Sequence, residues 1–255
     1  MQLKTKGIIL KQRNIGENDR ILTILTSDFG LIEATARGVK STRSALSASC
    51  QILSYSDICL YKGKGNYIVN SAETINSFYS LRLDIVKIAL AGYFCELTSY
   101  LSPTTDNAND YIKLLLNSLY LLQENKKSEA LLKSIFELRA LAIAGFMPNL
   151  VCCTECGEFE QQLMFFLPLD GLIVCVDCFQ TSQFNKETTI KFKVFAPVLS
   201  ALRHIIFSQA EKMFSFNVTG DSLAQLCFIT ENYTLLHTEG KFNSLEMYKS
   251  LKIPC

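Results

Sequence analysis

Two short stretches, "CCTECGE" and "IVCVDCF", constrain this chain more than any other feature. Each holds a Cys-x-x-Cys pair, Cys153 with Cys156 and Cys175 with Cys178, separated by an 18-residue spacer. Five of the ten cysteines fall within 27 residues, while the whole chain of 255 has two histidines. A tetrahedral Zn²⁺ takes four soft ligands at ~2.3 Å, and a Cys-x-x-Cys turn delivers two of them from one tight loop. The spacing therefore predicts a four-thiolate structural zinc site at Cys153, Cys156, Cys175 and Cys178. The spacer contains "LMFFLPLDGLIV", two apolar runs around a turn, which predicts a β-hairpin that returns the second pair to the first. Gly157 allows a sharp turn after the first pair, whereas Phe179 follows the second. A segment of this size cannot build a core of its own, and the metal replaces it.

Other thiol chemistries fit less well. A redox Cys-x-x-Cys comes as one pair at a helix start. A catalytic zinc keeps a position open and usually involves His, and a zinc deaminase needs His-x-Glu upstream of its cysteines. His204 and His237 lie far off in helical patterns, and that motif is absent. Cys152 reads as a bystander, although a register with Cys152 in place of Cys153 stays open. Cys50, Cys59, Cys95, Cys227 and Cys255 are scattered and read as ordinary small residues.

Apolar residues make up 49% of the chain, enough for real cores, and the length suits two or three sub-domains. The start "MQLKTKGIIL" lacks a signal-peptide pattern, and no uncharged apolar run approaches the ~20 residues that span a bilayer. The expectation is a soluble, cytoplasmic protein with no membrane partner, in which thiols stay reduced. Net charge is only +1, but its distribution is uneven. Residues 1–72 carry ten Lys or Arg against five acids, so the remainder is acidic. Such asymmetry points to an anionic partner at the N-terminal end.

Five β-branched or alternating runs occupy the first 75 residues: "GIILKQRN", "RILTILTS", "LIEATARG", "ILSYSDICLY" and "NYIVNSAE". In the third, Ile32, Ala34 and Ala36 share one face while Glu33, Thr35 and Arg37 share the other. Five strands in so short a span predict a small closed barrel of the OB-fold type. A Ser-rich loop, "GVKSTRSALSASCQ", joins strands three and four and carries Lys40 and Arg43 with no acid. From about residue 78 the period becomes helical, with Val86, Leu90, Leu97 and Leu101 in step until Pro103. A second helix is predicted over 110–123, and a third begins after Ser128 as N-cap. Beyond the cysteines, "VFAPVLSALRHIIF", "TGDSLAQLCFITENYTLLHTE" and "SLEMYKSL" all read as helical. The fold class is thus α+β: a five-stranded OB-fold over 1–77, a helical domain in two parts over 78–149 and 183–255, and a four-Cys zinc hairpin inserted over 150–182.

No Walker A loop, dinucleotide fingerprint, nucleophile elbow or His-Glu-x-x-His motif occurs, so no active site or small-molecule substrate is indicated. The barrel's basic residues have two readings. The bland one is a solvated face. The sharper one is a nucleic-acid groove in which Arg37, Lys40 and Arg43, with Lys62 and Lys64 of the "KGKG" turn, track phosphates. Tyr55, Tyr61 or Tyr67 would then offer stacking platforms. Three to five phosphate contacts imply a salt slope of roughly −2 to −4 on single strands.

Four segments together resemble one family: the opening "KGIILKQRNIGENDRILTILTSDFGLIEATARGVKSTRSAL", the junction "FELRALAIAGFMPNLVCCTECG", then "GLIVCVDC", and finally "HTEGKFNSLEMYKSL". They resemble the RecO family of bacterial DNA repair and recombination mediators. The resemblance implies a non-enzymatic protein with an OB-fold, a helical body and a zinc hairpin. It implies binding of single- and double-stranded DNA and annealing of complementary strands. It further implies partnership with RecR, engagement of the C-terminal tail of single-strand DNA-binding protein, and help in loading RecA. It places Arg139 near the groove for that tail. The alternative from a different class is a zinc-stabilised protein-interaction scaffold without direct DNA binding.

Overall fold

The computed structural model describes residues 1–41, 43–63, 66–104, 108–181 and 189–252. Two compact units are present, one formed by Met1–Lys126 with Phe242–Cys255 and the other by Lys127–Lys241.

In the first unit, five strands close into a barrel: β1 (Gln2–Ile15), β2 (Asp19–Thr26), β3 (Gly30–Ala36), β4 (Tyr55–Lys62) and β5 (Tyr67–Asn76). Their order is β1-β2-β3-β5-β4, with β4 returning to β1, the connectivity of an OB-fold. The predicted five-stranded barrel is therefore present. The 14-residue β1 serves two neighbours. Its first half pairs with β4 from Gln2 opposite Tyr61 to Ile8 opposite Tyr55. Its second half pairs with β2, and the register shifts between Ile9 and Lys11. That bulge bends the strand from one partner to the other. Gly7, just before the bulge, pairs with both neighbours, and a Cβ there would come within 2.9 Å of the Ile24 side chain. Closure between β3 and β5 is a short parallel contact, Ala34 opposite Tyr67 and Thr35 opposite Ile68. The alternation read for β3 holds, since Ile32, Ala34 and Ala36 are buried with Ile9, Leu22, Ile24, Ile58, Leu60 and Val69.

The Ser-rich connection after β3 does more than the sequence indicates. It folds over the barrel and contributes Val39 and Cys50 to the core. Leu53 and Ser54 then exchange backbone bonds with Ile9 at 2.9 and 3.0 Å, so β4 starts at Tyr55, three residues later than "ILSYSDICLY" suggests. Burial pushes the Cys50 thiol up to about 11, with Arg20 only partly offsetting it, and pushes Cys95 up to about 12. Both behave as the small buried residues expected.

A 3-10 turn (Tyr79–Leu83) leads into α1 (Ile85–Leu101), whose N-terminus is capped by the Asp84 carboxylate accepting from Val86 and Lys87 at 2.9 and 3.1 Å. Helix α2 (Asn109–Gln123) follows. The last helix of the chain, α7 (Asn243–Lys252), lies against α1. There Glu96 accepts the Ser244 amide at 3.0 Å, and Phe242 meets Tyr93 edge-on with centroids 5.6 Å apart.

The second unit holds α3 (Glu129–Ile143), capped by Ser128 as predicted, with α5 (Ala196–Phe207), α6 (Gly220–Thr238) and a small sheet. The sheet consists of the expected hairpin, β6 (Leu163–Leu167) and β7 (Leu172–Cys175), plus β8 (Phe192–Phe195) on the far side of β6. Val194 and Phe195, read from sequence as helical, belong to that third strand. A two-stranded hairpin is marginal in water, and the third strand lets Val194 and Phe192 extend its packed face. Between α3 and α6, Lys133 Nζ lies 2.8 Å from both Glu137 Oε1 and Glu231 Oε2. Thr230 donates to Glu137 at 2.8 Å. Burial alone would lower the Lys133 pKa, but the two carboxylates more than offset it and hold the ammonium form. Among the described residues no helix is long and apolar enough to cross a membrane.

The Lys133 cluster gives the first prediction. Lys133→Met leaves two carboxylates facing one another in the helix interface, and removing one partner of a buried pair costs about 3–5 kcal/mol. Urea denaturation of the full chain should show the loss in the second unit's transition, and a change below about 1 kcal/mol would mean the cluster is solvated.

Candidate metal centre and nucleic-acid interface

The first cysteine pair lies on the connection between α3 and β6. Its backbone is held by Cys153 N–H donating to the Glu158 carbonyl at 2.8 Å and Gly157 N–H donating to the Cys153 carbonyl at 2.9 Å. Gly157 has φ +77°, the left-handed turn that the sequence anticipated for it. Thr154 N–H donates to the Ile173 carbonyl of β7 at 3.0 Å, which ties this turn to the hairpin. The second pair needs no glycine. Cys175 ends β7, and a short helix, α4 (Val176–Thr181), starts at the next residue and carries Cys178. Phe179 is thus a helical residue, stacked on Phe165 of β6 with centroids 4.4 Å apart.

These elements bring the four predicted sulfurs together, all within 4.8 Å of one another. Cys156 Sγ and Cys175 Sγ are 3.7 Å apart. A tetrahedron with ~2.3 Å metal–sulfur bonds has edges of about 3.8 Å, so the donor set fits such an ion. Cys153 and Cys175 are buried, while Cys156 is exposed. Backbone amides already point at the sulfurs: Cys175 N–H at Cys153 Sγ, 3.3 Å, and Cys178 N–H at Cys175 Sγ, 3.4 Å. Burial pushes Cys153 up, but amide bonds from Cys156, Cys175 and Glu155 outweigh it and draw the thiol down to about 7. Cys175 is raised, chiefly by burial, and Cys178 is raised because its S–H donates to the Cys175 and Cys156 sulfurs, which favours the protonated thiol. Cys152 is not among the four. The two histidines bond backbone carbonyls elsewhere, His204 to Lys212 and His237 to Pro168, both at 3.0 Å.

The basic candidates of the barrel occupy exposed positions. Arg37 continues the outward series Leu31, Glu33, Thr35 from the end of β3. Lys40 is held beside the β1–β2 turn by its amide donating to the Asn18 carbonyl at 3.1 Å. Gly38, at φ +61°, makes the intervening turn and donates its amide to Asp19 at 2.7 Å. Arg43 is exposed on the same connection. Toward the other end of β3, Lys62 sits 5.7 Å from the Tyr67 ring centre, and both line a recess with Phe29, Leu31 and Glu33. Lys64 lies outside the described residues. Tyr61 is exposed, whereas Tyr55 and Tyr67 are half-buried. Two cations were missed from sequence. Lys11 and Arg13 are exposed on β1, and Arg13 pairs with Glu33 at 3.6 Å, covering the one acid on the outward face of β3. Their signal was the polar run "KQRN" after the apolar "GIIL", a stretch of β1 that is exposed throughout. Arg139 is half-buried and donates to the Ile205 and Ile206 carbonyls at 3.3 and 2.7 Å, at the C-terminal end of α5.

An OB-type barrel followed by helices and a four-cysteine cluster able to hold a metal ion defines a binding protein of the α+β class. Comparison with known proteins narrows it. The family model "Recombination protein O N terminal" matches residues 1–78, and "Recombination protein O C terminal" matches residues 82–246. The chain is 33% identical over 254 residues to the DNA repair protein RecO of Acetivibrio thermocellus, covering 99% of both chains. It is 32% identical to that of Alkaliphilus metalliredigens over 98% of this chain and 100% of the relative. The chain belongs to the RecO family, and so is a DNA repair and recombination mediator rather than an enzyme.

If the four sulfurs share one ion, Cys175→Ser should abolish stoichiometric metal content measured by plasma mass spectrometry, while Cys152→Ser should leave it intact. Loss of metal in Cys152→Ser together with its retention in Cys153→Ser would move the site to the register with Cys152 in place of Cys153.

Proposed function

We propose that this protein binds single- and double-stranded DNA on its barrel, anneals complementary strands, and hands protein-coated single strands to the recombinase. The observation that carries this is the outward row of β3. It leads from the Lys62–Tyr67 recess to Arg37, Lys40 and Arg43, with Arg13 neutralising Glu33 on the way. Phosphates run along such a row by attraction, and Tyr67 or Tyr61 offers a ring to a base. Lys62 extends the track, and Lys64, outside the described residues, follows it two positions later in the sequence. Annealing brings two like-charged strands together, and a cationic surface lowers their repulsion without any nucleophile. The barrel at 1–77 thus carries DNA, while the helical parts at 78–149 and 183–255 carry the hairpin of 150–182 and the partner surfaces.

The ion at the four thiolates is zinc in a structural role. Four cysteines complete a tetrahedral shell and leave no open position for a substrate. The partners are RecR and the C-terminal tail of single-strand DNA-binding protein, in the cytoplasm and at the nucleoid. For the tail, Arg139 of α3 donates to the Ile206 carbonyl of α5, next in the chain to Phe207, which lines an apolar groove of about 460 Å³ with Val151, Phe159 and Arg203. Displacing a coat protein then follows from differential binding to tail and bare strand.

The direct test is Arg37→Glu, Lys40→Glu and Arg43→Glu in one protein. Strand annealing should fall sharply, and the dependence of log affinity on log salt should become shallower by about 2. Annealing at the wild-type rate would favour the scaffold reading instead.

A further inference from the structure

Arg203 stands on α5, and its guanidinium reaches back to the loop of the first cysteine pair. Nε donates to the Leu150 carbonyl at 2.7 Å, and a terminal nitrogen donates to the Val151 carbonyl at 3.0 Å. The same nitrogen donates to the Phe159 carbonyl. The guanidinium carbon lies 3.9 Å from the centre of the Phe159 ring. These acceptors flank the cysteines from both sides: Leu150 and Val151 precede Cys153, and Phe159 follows Cys156. Between Asn149, bridged to Leu172, and the start of β6 at Leu163, the chain has no helix or strand. One side chain therefore joins the two ends of a loop that regular structure does not hold.

We infer that Arg203 is a positioning residue for the metal, its guanidinium stapling both ends of the Leu150–Phe159 loop to α5 so that Cys153 and Cys156 converge before an ion arrives. Closing the loop in advance removes ordering entropy from the binding step. Only a planar fork with several donors can bond three carbonyls and also stack on a ring; an ammonium cannot. The inference rests on the proposal that the four thiolates hold zinc.

Full-length protein carrying Arg203→Lys, with Arg203→Gln as a second variant, tests it. In competition with the chelating dye pyridylazoresorcinol, the variants should hold zinc about 10–100-fold more weakly, the range for loss of a supporting contact. Zinc should also raise the melting temperature of the variants less than that of wild type, whereas a merely structural arginine would lower loaded and metal-free forms equally. Wild-type zinc affinity in both variants overturns the inference. Hydrogen exchange in metal-free protein separates it from the zinc proposal. The Cys153 and Gly157 amides should exchange faster in the variants, and unchanged protection overturns the clamp whatever metal wild type carries. If wild type takes up no zinc, the tetrathiolate proposal fails while the exchange comparison still decides the role of Arg203.

Discussion

Four sulfurs within 4.8 Å of one another set the terms for the second unit. As thiolates they repel, and as thiols they make only weak hydrogen bonds. Their protons are accordingly unevenly held, with Cys153 drawn down to about 7 and Cys175 and Cys178 raised. A divalent cation resolves the conflict, because each ligand then faces a positive centre rather than another sulfur. The arrangement around the sulfurs follows from this need. β7 ends on one ligand, α4 begins beside it, the Gly157 turn presents the other pair, and Arg203 ties the approach to α5. The sheet β6–β8 then has a fixed edge from which to pack Phe166 against Tyr233, centroids 5.2 Å apart.

The barrel is organised by a different constraint, closure. With β4 returning to β1 and β3 meeting β5, the strands bury their edges, and the interior fills with Ile, Leu, Val and Ala. What remains for function is the outward face and the connections. Because the chain after β3 must cross the barrel before β4, it supplies core residues such as Val39 and an exposed cationic stretch in the same segment. Folding and charge presentation are coupled there: Gly38 turns the chain, Asp19 accepts its amide, and Lys40 is held at the β1–β2 turn.

Much of this was legible in the sequence, and the exceptions have physical causes. The ligand set could be read because metal chemistry fixes residue type and spacing together. The strands and long helices could be read because burial imposes a period. The third strand of the small sheet was missed because Phe192–Phe195 runs without a break into α5; Pro197 was the overlooked signal, since proline sits in the first turn of a helix and not in its interior. The six-residue α4 is too short for any period to show. Val39 and Cys50 were hidden in a Ser-rich loop whose fold depends on contacts with Ile9 that are distant in sequence. Arg203 had no motif, because it binds carbonyls that every residue possesses; its one trace is a lone cation in "VLSALRHIIF".

The central claim is that one ion shared by four thiolates fixes the two Cys-x-x-Cys segments to one another at the edge of the small sheet. X-ray absorption at the zinc edge of the loaded, full-length protein tests it most directly. The account predicts four sulfur scatterers at ~2.3 Å and no lighter neighbour in the first shell. A shell containing nitrogen or oxygen would contradict it, because an open or mixed site is the arrangement of a catalytic centre.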